Sequence, residues 1–189
     1  MEADLLYLVA GLGNKGARYA YTRHNIGYLV VDRFADRCSI ALERKVFGCI
    51  VGKDARQGIV LAKPDTFMNL SGGPVSSIVG WAGVPREQII VVHDDMDMEF
   101  GRIKIRWNGG DGGHKGVRSI AETLGSPFFY RIKVGIGRDP VMAPEDYVLS
   151  RFPKGCLGEL SEILDRVADA IHTFIHEGKE KAMNMYNRV

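Results

Sequence analysis

Apolar residues in this chain follow two rhythms that take turns along its length. Leu5 to Ala10 is a continuous apolar run, the pattern of a strand buried on both faces. Ile26, Leu29, Val30, Phe34 and Ala35 then recur at helical spacing and predict a helix over about residues 23–37. Residues 45–53 and 58–63 read as a hairpin that turns around Asp54 to Gln57. A helix is predicted over 71–82, just after Asn69, and a second buried strand over Ile89 to His93, which ends in an acidic run. From Arg102 to Trp107 basic and apolar positions alternate, which puts the charges on one face of a strand. A short helix follows over 117–124 and a strand over 132–136. Leu157, Leu160, Leu164, Val167, Ile171 and Phe174 form a helical stripe ending near Gly178, and a last short helix covers about 179–186. Residues 109–113 read as a loop, and 137–145, with Pro140 and Pro144, as a lid or gate loop. Interleaved strands and helices predict an α/β fold of three layers, a mixed sheet with helices on both faces, formed as one domain over 1–189. Chemistry in such folds gathers at the C-terminal ends of strands, where Gly11, His93 and the 109–116 loop are expected.

Composition narrows the setting. A chain of 189 residues with 46 % apolar content can bury one sizeable core. Its longest apolar stretches fall far short of a membrane span, and Met1 to Asp4 is too short and acidic to read as a secretion signal. Cys38, Cys49 and Cys156 are odd in number and form no CxxC pair, which suits a reducing, cytoplasmic compartment. The net charge of +2 hides an asymmetry. Residues 102–138 carry Arg102, Lys104, Arg106, Lys115, Arg118, Arg131, Lys133 and Arg138 against Asp111 and Glu122, a local net of +6 beside −4 for the rest. Such a stripe reads either as a polyanion contact or as a solvated surface, and the neighbouring glycines favour phosphate.

The segment Gly11 to Gly27, GLGNKGARYAYTRHNIG, carries the chemistry. Its glycines allow close backbone approach to a ligand, and an imidazole such as that of His24 is the side chain suited to taking a proton from water. Gly11, Gly13 and Gly16 also match a dinucleotide-binding spacing, but Tyr19 to Thr22 intervene before the helix. Asp32 and Asp36 fall on helical faces rather than at a strand end, so no nicotinamide or flavin cofactor is expected. The run His93-Asp94-Asp95-Met96-Asp97 offers oxygen and nitrogen donors for a metal, yet no HExxH or second histidine pair completes a tetrahedral set. No metal is therefore expected. A GxSxG nucleophile motif is absent and no cysteine adjoins a histidine, which leaves water as the attacking group. On residues alone, His24 reads as a general base or as a structural histidine near a helix start. Asn69 reads as a polar site residue or as a helix N-cap, and Phe67 as a pocket or a core aromatic.

Five segments, taken in order, resemble the bacterial peptidyl-tRNA hydrolase family over roughly residues 5–180. They are GLGNKGARYAYTRHNIG, FMNLSG at 67–72, HDDMD at 93–97, GGDGGHKG at 109–116 and RIKVGIGR at 131–138. The resemblance implies that His24 is the catalytic base and that Asp94 hydrogen-bonds its imidazole. A carboxylate so placed fixes the tautomer and stabilises the imidazolium, help of about 10²–10⁴-fold. It further implies that Asn69 positions water or polarises the scissile carbonyl, and that Asn14 reads the peptide-bearing end. Tyr19, Phe67 and Met68 would line the pocket for the terminal adenosine or first peptide unit. Lys104, Arg106 and Lys133 match positions that contact the acceptor arm and 5′ phosphate of tRNA.

Two residues depart from the family pattern. Lys15 stands where the family has proline, and Lys115 where it has a substrate-binding asparagine. A lysine cannot accept a hydrogen bond, so Lys115 either replaces that contact with a phosphate or carbonyl interaction or points outward. The expectation is a monomeric hydrolase that cleaves the ester between a peptide and the 3′ ribose of tRNA, with peptidyl-tRNA as partner and no membrane or obligate protein partner. Its rivals are a non-catalytic RNA-binding module on the same scaffold and a metal-dependent hydrolase of small esters.

Overall fold

The N-terminal apolar run becomes the middle of a mixed sheet in the computed structural model, which describes residues 6–188. Strand β1 (Tyr7–Gly11) lies between β4 (Ile59–Pro64) and β5 (Ile89–Asp95), parallel to both. Leu5 of the expected strand, and Met1 to Asp4, lie outside the described residues. Beyond β5 comes β7 (Tyr130–Gly135), also parallel, and then β6 (Ile103–Arg106), antiparallel. On the other side β3 (Cys49–Asp54) and β2 (Arg44–Val46) continue antiparallel. Among the described residues the sheet has seven strands in the order β2-β3-β4-β1-β5-β7-β6. The continuous apolar patterns of β1 and β5 follow from burial on both faces.

Helices cover the two faces, and each face has its own core. On one, α1 (Ile26–Cys38) and α5 (Leu157–Glu177), followed by α6 (Lys179–Tyr186), seal Val9, Ile90, Val92, Ile132 and Val134 beneath Val30, Phe34, Leu160, Val167, Ile171 and Phe174. On the other, α2 (Gly72–Ala82) and α3 (Lys115–Leu124) seal Leu8, Ala10, Val60 and Val91 beneath Val75, Ile78, Val117 and Ile120. This is the three-layer α/β/α arrangement expected from the pattern. The chain leaves β1 for α1 on one face and β4 for α2 on the other. Their C-terminal ends therefore bound a crevice of the kind that binds ligands in open α/β sheets.

Several boundaries differ from the sequence expectation for identifiable reasons. The strand expected over 45–53 breaks into β2 and β3 at Phe47 and Gly48, both at positive φ (48° and 75°), which makes a two-residue hairpin turn. Leu157, assigned to the apolar stripe, is 42 % exposed because it is the first residue of α5. A helix, α4 (Pro144–Leu149), begins where the 137–145 loop was drawn to its end, with Pro144 in its first turn. His24 precedes the helix proper, in a single 3-10 turn over Arg23–Asn25. Finally, β6 runs opposite to β5, so residues 109–116 do not leave a strand end at the crevice. Arg106 pairs with Arg131 near the start of β7, and residues 107–113 must run back along the sheet face to reach its other end.

Gly27 decides where His24 sits. A Cβ on it would lie 2.4 Å from the Leu12 nitrogen and 2.4 Å from the Val92 oxygen. Only glycine lets the first turn of α1 press this closely on the ends of β1 and β5. The turn carrying His24 is thereby brought to the C-terminal end of β5.

Candidate active site

At that end lies a cavity of about 580 Å³, lined by Asn14, Tyr19, His24, Phe67, Met68, Asn69, Asp94 and His114 among others. Loops after β1 and β4, the end of β5 and the start of α3 each contribute to it. The segment after β1 is held to the turn before α1 by one side chain. Asn25 accepts a hydrogen bond from the Asn14 amide N–H and donates from Nδ2 to the Asn14 carbonyl, each at 2.9 Å. Asn14 in turn accepts from the Met68 amide through Oδ1 at 2.8 Å, which ties the loop after β4 to the same frame. Among the described residues nothing pairs with Asn14 Nδ2, so both N–H groups of its side-chain amide are free in a residue that lines the cavity.

The centre is a carboxylate shared by two imidazoles. His24 Nδ1 lies 2.8 Å and His114 Nε2 lies 2.9 Å from the same oxygen, Oδ1 of Asp94. The proton positions follow from the other ring atoms. His114 Nδ1 accepts from the Val117 amide, capping α3, so its proton sits on Nε2 and is donated to Asp94. His24 donates from Nδ1 to the carboxylate, and its Nε2 is left as an acceptor facing the cavity. Exposures of 9 %, 2 % and 8 % for His24, Asp94 and His114 show how little water reaches the three side chains. Burial alone would push the Asp94 carboxyl up. The ring N–H groups that His114 and His24 aim at it outweigh burial and hold it well below the usual carboxylate range.

His93 lies beneath this group. Its Nδ1 donates to the Asp94 carbonyl at 2.7 Å, and its Nε2 is buried with no partner among the described residues. Burial, reinforced by the His114 ring 4.8 Å away, depresses its pKa well below that of an ordinary histidine, so it stays neutral.

His24, Asp94 and His114 bring potential metal-ligand atoms within 4.8 Å of one another. The separations of 2.8 and 2.9 Å are those of hydrogen bonds. Ligand atoms around a tetrahedral zinc ion stand roughly 3.3 Å apart, given bonds of about 2.0–2.1 Å.

Each residue singled out from the sequence has a definite place. His24, Asp94, Asn14, Asn69, Tyr19, Phe67, Met68 and Lys115 all line the cavity. Asn69 stands exposed in a 3-10 turn, Met68–Leu70, and does not cap α2; the N-cap position is Ser71. Phe67 is 43 % exposed at the rim rather than in the core, with the Lys15 ammonium 5.3 Å above its ring. Lys115 is exposed at the first position of α3 and forms no ion pair among the described residues. Lys104, Arg106 and Lys133 lie outside the cavity, on the α3 side of β6 and β7. Lys133 reaches toward the cavity to pair with Asp95 at 2.9 Å.

Sequence reading passed over two participants. His114 sits inside GGDGGHKG but was read only as the neighbour of Lys115; a histidine just before a helix and after a glycine loop was the available signal. Arg131, counted in the basic stripe, is 1 % exposed and so is not a surface charge. Its alternation partner Ile132 gave no warning, because β7 is covered on both faces.

A shared carboxylate, a histidine with a free ring nitrogen and a ring of amides at the ends of parallel strands define an α/β protein equipped for proton transfer to and from water. Comparison with known proteins narrows this class. The family model described as peptidyl-tRNA hydrolase matches residues 8–189. The chain is 42 % identical to the peptidyl-tRNA hydrolase of Geotalea daltonii over 182 residues, 95 % of each chain. It is 42 % identical to that of Thermodesulfovibrio yellowstonii over 188 residues, 97 % of this chain and 100 % of the other. The crystal structure of peptidyl-tRNA hydrolase from Acinetobacter baumannii superposes with a TM-score of 0.88 at 32 % identity, covering 99 % of this chain and 97 % of that one. The chain belongs to the peptidyl-tRNA hydrolase family.

Proposed function

We infer that the protein hydrolyses the ester between a peptide, or any N-blocked aminoacyl group, and the 3′ ribose of tRNA, recycling tRNA from prematurely released peptidyl-tRNA. The observation that carries the mechanism is the 2.8 Å contact between His24 Nδ1 and Asp94 Oδ1, which leaves Nε2 open to the cavity. His24 takes a proton from water through Nε2 as that water attacks the ester carbonyl. Asp94, kept ionised, holds the ring's tautomer and stabilises the imidazolium that forms. Asn69 orients the water or donates to the developing oxyanion, a contribution on the order of 3 kcal/mol. The free amide of Asn14 reads the peptide-bearing end. An ester needs no covalent enzyme intermediate, and no serine or cysteine stands beside His24 in the cavity lining.

Tyr19, Phe67 and Met68 offer aromatic and thioether surface for the terminal adenine or the first peptide unit. Lys104, Arg106 and Lys133 lie beyond the cavity on one face of β6 and β7, where an acceptor arm would be carried past the site. Residues 1–189 act as one catalytic domain, with the stretch before and into α4 as a lid over the cavity; α4 supplies Pro144, Val148 and Leu149 to its wall. A tRNA substrate and three unpaired cysteines support a cytoplasmic enzyme, and we propose that it acts as a monomer. No helix among the described residues is long and apolar enough to cross a membrane.

The test is an N-blocked aminoacyl-tRNA and its unblocked counterpart, each offered to the wild type and to His24→Ala. Cleavage of the blocked form alone, lost in the variant, is expected. Tight tRNA binding without turnover would indicate the RNA-binding module instead.

A further inference from the structure

Arg131 was counted in the basic stripe, yet the residue is buried, 1 % exposed. Nη1 donates to the Gly110 carbonyl at 2.7 Å, and Nη2 approaches the Pro127 carbonyl at 3.4 Å. The group lies 4.8 Å from the Phe129 ring, and a Cβ on Gly109 would come within 3.8 Å of Nη1. Arg131 therefore grips residues 109–110 from below.

What it grips is the segment that delivers His114. From Arg106, opposite Arg131, the chain must travel back along the sheet to Asp94, which pairs with Val134 near the far end of β7. Regular structure is absent over this stretch, so its course depends on individual hydrogen bonds. Beyond Gly110 those bonds are continuous. The Asp111 carbonyl accepts from the His114 amide at 3.0 Å, and its Oδ1 accepts from the Gly113 amide at 2.7 Å. Arg118 holds both Asp111 oxygens at 3.0 and 3.2 Å, fixing the turn to α3. His114 then donates to the oxygen that His24 also uses.

We propose that Arg131 is a positioning residue for the hydrolysis: by anchoring the 109–113 loop at Gly110 it sets His114 against Asp94, and so fixes the carboxylate that orients His24. This rests on the reading of His24 and Asp94 as the catalytic pair. Two of the Arg131 N–H groups are directed at backbone carbonyls, its Nε is buried without a partner among the described residues, and with the residue 1 % exposed the charge is not displayed at the surface. An arginine suits this position because its planar fork holds separate N–H groups in fixed directions toward the two carbonyls, which a flexible lysine stem does not.

The experiment compares Arg131→Met, His114→Asn and the double variant on N-blocked aminoacyl-tRNA, with His24→Ala as reference. Asparagine at 114 can still cap α3 but is too short to reach Asp94. Arg131→Met is expected to lower kcat roughly tenfold or more with KM little changed, as displaced catalytic groups do. Its dependence of kcat/KM on salt should keep the wild-type slope, because no phosphate contact is lost. The double variant should lose no more than His114→Asn alone, since both substitutions interrupt one path. Unchanged kcat, additive losses, or a raised KM with a salt slope shallower by about one would overturn the proposal. If Arg131→Met does not fold, Arg131→Lys, which keeps the charge and loses the fork, carries the same readouts. Activity retained in His24→Ala would instead refute the underlying catalytic reading.

Discussion

Nδ1 of His24 lies 2.8 Å from Oδ1 of Asp94 where neither residue is more than 9 % exposed. A carboxylate can only accept from that nitrogen, so the proton is forced onto Nδ1 and the lone pair onto Nε2. Asp94→Asn replaces the second acceptor oxygen by a donor and lets the ring adopt the other tautomer. It is expected to lower kcat by about 10²–10⁴-fold with KM nearly unchanged. Steady-state kinetics on N-blocked aminoacyl-tRNA measure both, and a kcat within a few-fold of wild type would refute the pairing.

Acid should destabilise the fold through His93. Its folded pKa is depressed, so between the unfolded value near 6.5 and the folded one, only the unfolded chain takes up a proton. Stability contributed by the neutral ring is complete above about pH 6.5 and declines below it, by at most ~1.4 kcal/mol per pH unit. Asp94 adds a separate loss at lower pH: its folded pKa is lowered, so its contribution is present above about pH 4 and disappears as pH falls further. Denaturant titrations at pH 7.5, 6.5 and 5.5 should give His93→Asn a shallower decline than wild type. Equal slopes would show that the ring accepts its proton in place.

Lys104 and Arg106 form no ion pair among the described residues, and Lys104 stands opposite Lys133 across β6 and β7. Arg106 is the main reason the Lys104 ammonium has a lowered pKa, with desolvation, Arg102 and Lys133 adding to it. Neutralising Lys104 and Arg106 together should raise KM far more than it lowers kcat, and flatten the dependence on salt. The folded state should lose little, since the repulsion from Arg106, Arg102 and Lys133 outweighs the attraction of Asp95. Equal loss of kcat would place these cations in the chemistry.

Gly27→Ala should lower both the melting temperature and kcat. The new methyl group meets backbone atoms of Leu12 and Val92 at 2.4 Å, neither of which can rotate aside. Displacing the start of α1 moves His24 from Asp94, so the loss of rate should exceed that of an equally destabilising change elsewhere. Phe34→Ala, a cavity in the α1 core expected to cost ~3–5 kcal/mol, is the control. Comparable kcat in both folded variants would separate α1 seating from catalysis.

Chelators should leave turnover untouched. The three donor atoms at the centre are spaced for shared protons, not for a shared cation. Loss of activity in EDTA, with recovery on adding zinc or magnesium, would contradict the mechanism.

Periodicity revealed most elements because burial imposes it: both-faced burial of β1 and β5, and one-faced burial of α1 and α5, leave different spacings. It missed the break at Phe47, a residue that rarely adopts positive φ and so gives no turn signal. It brought the 109–116 loop to the site, where residues 111–115 line the cavity, but not its route from the far end of β6, because strand direction depends on pairing across the sheet and not on local pattern. Within the site, short motifs carried His24 and Asp94. His114 and Arg131 were not legible in their roles, since each acts through a tertiary contact with a segment distant in sequence. Nor did the sequence show that the Asn14 oxygen is taken by the Met68 amide, which leaves its NH2 group for the substrate contact expected of it.

The reciprocal bonds between Asn25 and Asn14, extended by Met68, close three separate crossings of the chain into one staple. Such a staple needs nothing from the residues at its margin. The side chains of Lys15 and Lys115 take no part in it, so the entrance carries its charge on residues the reactive geometry does not lean on.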